Sequence, residues 1–121
     1  MSEDYDASLI QIIVPAINLY DLILQIRERP AMYFGAKSIS ALDNFINGYT
    51  YACYVKNIDE NENPPWEDFH EFVRRHTGFS ESTSGWCRMI LSVNNQDEAE
   101  SLAMFFKLFE AFLASAKKGA T

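Results

Sequence analysis

The residues best suited to metal or acid–base chemistry lie in the segment HEFVRRH, which contains His70, Glu71 and His76. A zinc-protease helix places two histidines four residues apart so that both can face one metal ion. Here Arg74 stands where the second histidine would be, and the second histidine comes two residues later. Glu67 and His70 form one Glu-x-x-His pair, whereas a di-iron bundle needs two such pairs. The spacing therefore predicts no metal site and no cofactor.

Nucleophilic chemistry would have to come from one of the two cysteines, Cys53 and Cys87. Neither belongs to a Cys-x-x-Cys pair, and the sequence has no pattern that would place an activating histidine beside them. Both have apolar neighbours, which is typical of buried free thiols. Since no nucleophile, base and orienting group come together, we expect a protein that is not an enzyme, with no catalytic residues.

A run of acidic residues surrounds a tryptophan in the middle of the chain. Between Asp59 and Glu71 there are six acidic residues and no Lys or Arg. Acidic charge steers a protein toward basic surfaces, and aromatic anchors hold the complex together. The candidate partner-binding residues are therefore Asp59, Glu60, Glu62, Trp66, Glu67, Asp68 and Glu71. The competing interpretation is a solvated loop with the tryptophan in the core.

Helical spacing places the last three of these acids together on the solvent side of a predicted helix. If they prove to be only solvated surface, the next candidate for a binding face lies around Tyr51, Tyr54 and residues 79–86. The whole chain carries a net charge of −7, so phosphate repels it. Direct nucleic-acid partners and anionic membrane surfaces are not expected. The charge fits a basic protein partner, or only solubility.

The segment RERPAMYFG, residues 27–35, resembles the RPGMY-aliphatic-G motif near the start of the ATPase domain of DNA gyrase and type II topoisomerases. That resemblance implies a following helix with a general-base glutamate and a magnesium-binding asparagine. In this chain Gly48 and Ala52 stand at about those positions, and neither can accept a proton or bind a metal. No Asp-x-Gly-x-Gly segment follows, so we do not expect ATP hydrolysis.

A second resemblance covers more of the chain, roughly residues 19–113. Small helical immunity proteins of bacterial polymorphic toxin systems, including contact-dependent inhibition, share an R-x-R-P-x-M-Y-x-G opening, an F-x-x-F-V helix, a G-W turn and a Phe-rich last helix. The matching residues here are Arg27, Arg29, Pro30, Met32, Tyr33, Gly35, Ser38, Ile39, Leu42, Phe45, Gly48, Tyr49, Phe69, Phe72, Val73, Gly85, Trp86 and the segment 105–113. One departure is Ala31, where glycine is commoner in such motifs.

This resemblance implies an immunity protein that binds and neutralises one cognate bacterial toxin domain, most simply a basic nuclease. It would block the active site or substrate groove of the toxin, with carboxylates in place of substrate phosphates. The alternative is a small non-catalytic structural or adaptor domain that binds a basic protein partner. A toxin gene immediately upstream would favour the first hypothesis.

Apolar residues recur at helical spacing in four segments, so we predict an all-α fold. It would be a compact bundle of four to five helices with a possible short extended N-terminal arm. The expected elements are a helix from the Asn18 cap to Pro30, one from Ser38 to about residue 55, one from Pro65 to near Gly78, a helix or strand over 86–93, and a last helix capped by Asn95 or Asp97. Residues 8–17 could form the arm or a short helix.

The apolar loop after the first helix has a structural interpretation. Pro30 ends one helix and Ser38 begins the next. The three large residues between them, Met32, Tyr33 and Phe34, are predicted to turn inward and plug the end of the bundle. Gly35 would adopt a backbone conformation that a side chain disfavours, and Arg27 or Arg29 would bond loop carbonyls.

The length of 121 residues indicates one domain, residues 1–121, with flexible ends at 1–6 and 117–121. The chain begins with acidic residues, whereas a signal peptide begins with basic ones. No stretch reaches the roughly 20 apolar residues of a membrane span. We therefore expect a soluble, cytoplasmic bacterial protein.

Overall fold

A computed structural model describes residues 18–58, 62–80 and 85–119, with side chains up to residue 116. The described residues form six α-helices and one 3₁₀ turn. They are α1 Leu19–Glu28, α2 Pro30–Phe34, α3 Ile39–Val55, the 3₁₀ turn Trp66–Asp68, α4 Phe69–Thr77, α5 Gly85–Val93 and α6 Glu98–Gly119. No strand occurs within these ranges, which confirms the all-α prediction for them. Residues 8–17, expected to form an extended arm or a short helix, and the end at 1–6, expected to be flexible, lie outside the described residues.

Local capping signals set the ends of several helices as predicted. The side chain of Asn18 accepts a hydrogen bond from the Asp21 amide at 3.0 Å, and that of Ser38 accepts one from the Ala41 amide at 3.0 Å. Each bond satisfies an amide that the first helical turn leaves free. Gly78 ends α4 with a left-handed φ of 81°.

The segment after Pro30 forms the short helix α2 where a loop was expected. Pro30 occupies its first position, where a missing N–H costs nothing. The helix ends at Gly35, whose φ is 74° and whose amide donates to the Ala31 carbonyl at 2.7 Å. The prediction of an unusual backbone at Gly35 is therefore confirmed.

The prediction that all three large residues of this segment turn inward is wrong for Met32, which is 41% exposed. Tyr33 and Phe34 are half-buried and pack against the core. Successive residues of a helix point about 100° apart, so they cannot all face one side. Arg27 pairs with Glu110 of α6 at 3.0 Å.

Helix α3 belongs to the core only along its first half. Ile39, Leu42 and Ile46 are fully buried, and the next apolar residues at helical spacing, Tyr49 and Cys53, are half-buried. Val55, near the end of the helix, is 57% exposed. A helix of 17 residues is about 25 Å long. Its last turns leave the core, and this determines where the candidate site lies.

One further element differs in detail from the sequence prediction, and two alternatives that the sequence left open are decided. The helix expected to start at Pro65 begins instead as the 3₁₀ turn and becomes α-helical at Phe69. Residues 85–93 form a helix, which decides between the two alternatives left open there. Asp97 rather than Asn95 caps α6, because its side chain accepts from the Glu100 amide at 2.8 Å.

Helix α6 is the centre of the packing and contacts α3, α4 and α5. The aromatic stripe of this Phe-rich helix faces the core, with Phe105 and Phe109 fully buried. Phe69 of α4 stacks on Trp66 at 4.9 Å between ring centroids and meets Phe105 edge-on at 5.4 Å. Tyr20 of α1 meets Phe109 at 5.2 Å. This aromatic cluster fixes the 3₁₀ turn, which carries Glu67 and Asp68, against the bundle.

Candidate functional site

The structure separates the predicted acidic patch into two places. Asp59 and Glu60 lie outside the described residues. Of the others, Glu62 and Glu67 line a groove beside α3, whereas Asp68 and Glu71 line a separate depression next to Phe72 and Phe112. Glu67 and Asp68 lie in the 3₁₀ turn and Glu71 lies in α4, so the three acids do not belong to one continuous α-helix as the prediction assumed. The three-residue period of the 3₁₀ turn shifts the positions of Glu67 and Asp68 relative to α4.

Glu71 is bound by two arginines of its own helix. Arg74 Nε and Nη2 donate to the two carboxylate oxygens at 2.8 and 2.6 Å, and Arg75 Nε donates to Oε2 at 3.2 Å. The Arg74 hydrogen bonds, more than any other contact, lower the pKa of Glu71 to about 2. This carboxylate remains charged at neutral pH, but two guanidinium groups already neutralise it. Arg74 lies three residues beyond the end of the acidic run. The residues of that run alone therefore did not predict the ion pairs of Glu71 with the arginines.

Trp66 belongs to the rim of the core and also lines the groove. Its ring stacks on Phe69 and meets Trp86 edge-on at 6.0 Å, and the side chain is half-buried. The two sequence interpretations, a core residue or a surface anchor, each describe part of this position. A half-buried ring that its neighbours hold in place is a preorganised contact for a ligand.

The groove between the end of α3 and the 3₁₀ turn has a volume of about 340 Å³. We call it the α3 groove. It is lined by Leu19, Tyr49, Thr50, Cys53, Tyr54, Ile58, Glu62, Trp66 and Glu67. Aromatic and aliphatic side chains therefore form much of the wall, and two carboxylates are part of the same lining.

A cluster of exposed apolar side chains adjoins the groove. Tyr51 is 69% exposed, Tyr54 82%, Val55 57% and Ile58 55%. We call these four residues the α3 patch. They are four of the six large apolar side chains that are exposed among the described residues. Clustered exposed apolar surface of this kind marks interaction sites, whereas scattered residues do not.

The hydroxyl of Tyr20 ties the acidic segment to the bundle. It donates a hydrogen bond of 2.5 Å to the carbonyl of Pro64, in a buried position. Burial raises the pKa of Tyr20 well above its usual range, and the charges of Glu62, Asp68 and Glu67 raise it further. These three carboxylates therefore place negative potential around one end of α1.

A larger polar cleft of about 690 Å³ separates α3 from α5, and Asp43, Cys87, Arg88 and Glu98 are among its lining residues. Burial raises the pKa of the Cys87 thiol to about 12, with smaller contributions from Asp43 and Glu98. At neutral pH this cysteine is a thiol rather than a reactive thiolate. Burial also raises the pKa of Asp43.

The histidines of HEFVRRH have structural contacts. His76 stacks on Phe72 at 4.2 Å, and its Nδ1 lies 2.9 Å from the Phe72 carbonyl oxygen. Over residues 18–58, 62–80 and 85–119, no three His, Cys, Asp or Glu side chains come together as a metal site would require. Within the same ranges, no helix combines the length and apolar character needed to cross a membrane.

Comparison of the chain with protein-family models, with curated proteins and with solved structures finds no match.

Proposed function

We propose that this chain is an immunity-type protein that binds a basic toxin domain through the α3 patch and the α3 groove. The observation that carries the proposal is the clustering of the four exposed apolar residues of the patch beside a groove that contains Trp66, Glu62 and Glu67. Interfaces that bind tightly combine such aromatic anchors with charges at the rim.

The charge of the protein supports a basic partner. The chain has 17 acidic and 10 basic residues, and Asp59 and Glu60 follow directly on Ile58 in the sequence. Like charges across an interface oppose binding, and opposite charges accelerate it. A nuclease domain, whose substrate groove must attract phosphate, presents the positive surface that this face would complement. Covering that groove would inhibit the toxin without any catalysis by the immunity protein.

The packing around the patch supports binding without a large rearrangement. Trp66 is stacked on Phe69, and Tyr20 holds the Pro64 carbonyl, so one wall of the groove is built before a partner arrives. In a preformed site, less of the interaction energy is offset by the cost of ordering the site on binding.

The test is a titration with the product of the gene immediately upstream, together with a growth assay of cells that express both proteins. The double variant Tyr54→Ala/Ile58→Ala should bind at least tenfold more weakly and lose protection. Val93→Ala, at an exposed apolar residue outside the patch, should do neither. Binding without inhibition of a toxic activity would favour the adaptor alternative. Unchanged affinity in the double variant would contradict the assigned face.

A further inference from the structure

We infer that the α3 patch docks one amphipathic helix of the partner, whose apolar stripe packs on α3 and whose polar side is basic. The inference rests on the proposed function for the identity of the partner. It specifies the structural element and the chemistry that the patch recognises, and both can be tested on the isolated protein.

The last turns of α3 are apolar on two opposite sides. Ile46 is buried and Tyr49 packs against the core, whereas Tyr51, Tyr54 and Val55 are 69%, 82% and 57% exposed. At 3.6 residues per turn, these three exposed residues lie roughly opposite to Ile46 and Tyr49. A helix that is apolar all round is normally buried all round. This end of α3 therefore has surface on which one more element can pack.

The same side of α3 is polar nearer the start of the helix. Asn44, Asn47 and Tyr51 follow one another at spacings of three and four residues, so they share one face. Both asparagines are exposed, as is the tyrosine. Side chains that only need to meet water are amides in the first half of this face, and large apolar groups replace them in the second half. The apolar surface is thus confined to a short length of helix.

The capped end of α3 holds the fourth residue of the patch in place. Asn57 has a left-handed φ of 58°, and its amide donates to the Tyr54 carbonyl at 3.2 Å. The Ile58 amide donates to the Cys53 carbonyl at 2.9 Å. These two bonds form a Schellman motif, which turns the chain back over the last helical turn. Ile58 therefore extends a preformed surface, which lowers the cost of ordering it on binding.

The arrangement of the patch favours a helix over an extended segment. Tyr51 and Val55 form a row of residues four apart, and Tyr54 stands beside that row. Helices pack by fitting such rows into the grooves of a neighbouring helix. An extended peptide instead takes its main-chain hydrogen bonds from the edge of a sheet, and residues 18–58, 62–80 and 85–119 contain no strand.

The charge around the patch favours a basic helix from a different chain. Glu67 is exposed and lines the α3 groove together with Tyr54 and Ile58, and Glu62 belongs to the same lining. The carbonyl end of α3 adds partial negative charge there, which its single basic neighbour, Lys56, complements. Basic residues on the incoming helix would meet these carboxylates. A second copy of this chain, with a net charge of −7, would be repelled.

The probe is a synthetic amphipathic peptide of about 18 residues, long enough for roughly five helical turns. It has leucine at helical spacing on one face and lysine and arginine elsewhere. The peptide is titrated into the isolated protein, and the protein amides are followed by two-dimensional NMR. Saturable shift changes are expected from Tyr51 to Ile58 and not around Val93, an exposed apolar residue outside the patch.

Two further peptides test the helix and its charge. One keeps the leucine positions and carries glutamate in place of every basic residue. The other has the composition of the basic peptide in an order that leaves no apolar helical face. Each should bind at least tenfold more weakly than the basic amphipathic peptide. Equal binding of either peptide would overturn the inference, and so would the absence of saturable shifts at the patch.

Matched variants on one face of α3 locate the contact. Tyr51→Ala and Val55→Ala should each weaken the basic peptide roughly three- to tenfold, as truncation of a buried interface residue does. Asn44→Ala and Asn47→Ala, on the polar half of the same face, should leave the affinity unchanged. All four positions are exposed, so folding should be retained. Equal losses in the asparagine variants would refute the assigned surface.

Sedimentation of the isolated protein distinguishes a foreign helix from a second copy. The wild type should remain monomeric, because its own acidic charge opposes self-association. A dimer that Tyr51→Ala dissociates would overturn the inference and assign the patch to self-association.

The two proposals can fail separately. If the basic peptide does not bind while the toxin titration still depends on Tyr54 and Ile58, the docked element is not a helix and the proposed function stands. If the peptide binds as expected but no toxin is neutralised, the proposed function is wrong and the patch docks a basic helix from a partner of another class.

Discussion

Replacing Glu98 by alanine should destabilise the protein far more than its position in the first turn of a helix would suggest. Its carboxylate accepts hydrogen bonds from the Ser38 hydroxyl at 2.9 Å, the Ser40 amide at 2.9 Å and the Ser40 hydroxyl at 2.6 Å. These bonds join the start of α6 to the start of α3 across some sixty residues of sequence. The Ser40 amide is one of those that the first turn of α3 leaves free.

The magnitude follows from the number and type of these bonds. A hydrogen bond to a charged group contributes about 1.5–3 kcal/mol. Since three bonds share one partly exposed carboxylate and water can replace some of them, Glu98→Ala should cost about 3 kcal/mol in total. For a domain of this size that lowers Tm by roughly 12 °C. Glu98→Gln keeps an acceptor but loses the charge, so about half that cost is expected.

The stability that Glu98 contributes should depend on pH. The Ser40 hydroxyl, more than any other contact, lowers the pKa of Glu98 below its usual 4.5. Because the native pKa is the lower one, the stabilisation is fully present above pH 4.5 and disappears as the pH falls through the native pKa. The difference between the wild type and Glu98→Gln should therefore shrink in acid.

The assay is urea denaturation at neutral pH and at several acidic values. Glu100→Ala is the control, because Glu100 is in the same helical turn and experiences the same helix dipole without these hydrogen bonds. A loss equal to that of Glu98→Ala would show that only the dipole matters. A difference between wild type and Glu98→Gln that does not change with pH would refute the charge-dependent clamp.

Three further outcomes are expected. Tyr20→Phe should cost about 1–3 kcal/mol, since it leaves a buried carbonyl without its donor; in the wild type, ultraviolet titration should detect one tyrosine that stays protonated well above pH 10.0. Ellman's reagent should modify half-buried Cys53 readily, but Cys87 only on unfolding, because burial raises its pKa to about 12; equal rates would contradict the buried position. Gly35→Ala should cost about 1 kcal/mol from its left-handed backbone alone, since no atom lies within 4 Å of an added Cβ, and Gly48→Ala in α3 should show no such loss in the same denaturation assay.

Elements set by short-range chemistry could be predicted from the sequence. The caps at Asn18 and Ser38, the stop at Gly78 and the unusual backbone at Gly35 each depend on a residue and its near neighbours. The aromatic face of α6 could be predicted equally well, because helix geometry fixes the spacing of residues that share one face. Such features need no knowledge of which other segment lies nearby.

The candidate site depended on information that periodicity does not contain. The apolar stripe of α3 continues with helical spacing to Cys53, yet its last fully buried residue, Ile46, lies about two turns earlier. Only the positions of the packing partners decide where a stripe changes from core to exposed patch. The pairing of Glu71 required the adjacent segment to be included, and the contact between Glu98 and Ser40 required the tertiary fold.

The α3 groove lies at the boundary between the core and the exposed patch. Substitutions of its residues must therefore be interpreted differently, according to whether the residue also belongs to the core. Trp66 stacks on Phe69 within the aromatic cluster, so removing its ring would weaken the fold and the groove together. Tyr54 is 82% exposed and lines the same groove, so its loss should affect binding with little effect on stability. If only the substitution of Trp66 lowers the affinity, the loss is due to a weakened fold. A loss at Tyr54 with unchanged unfolding free energy assigns the contact to the partner.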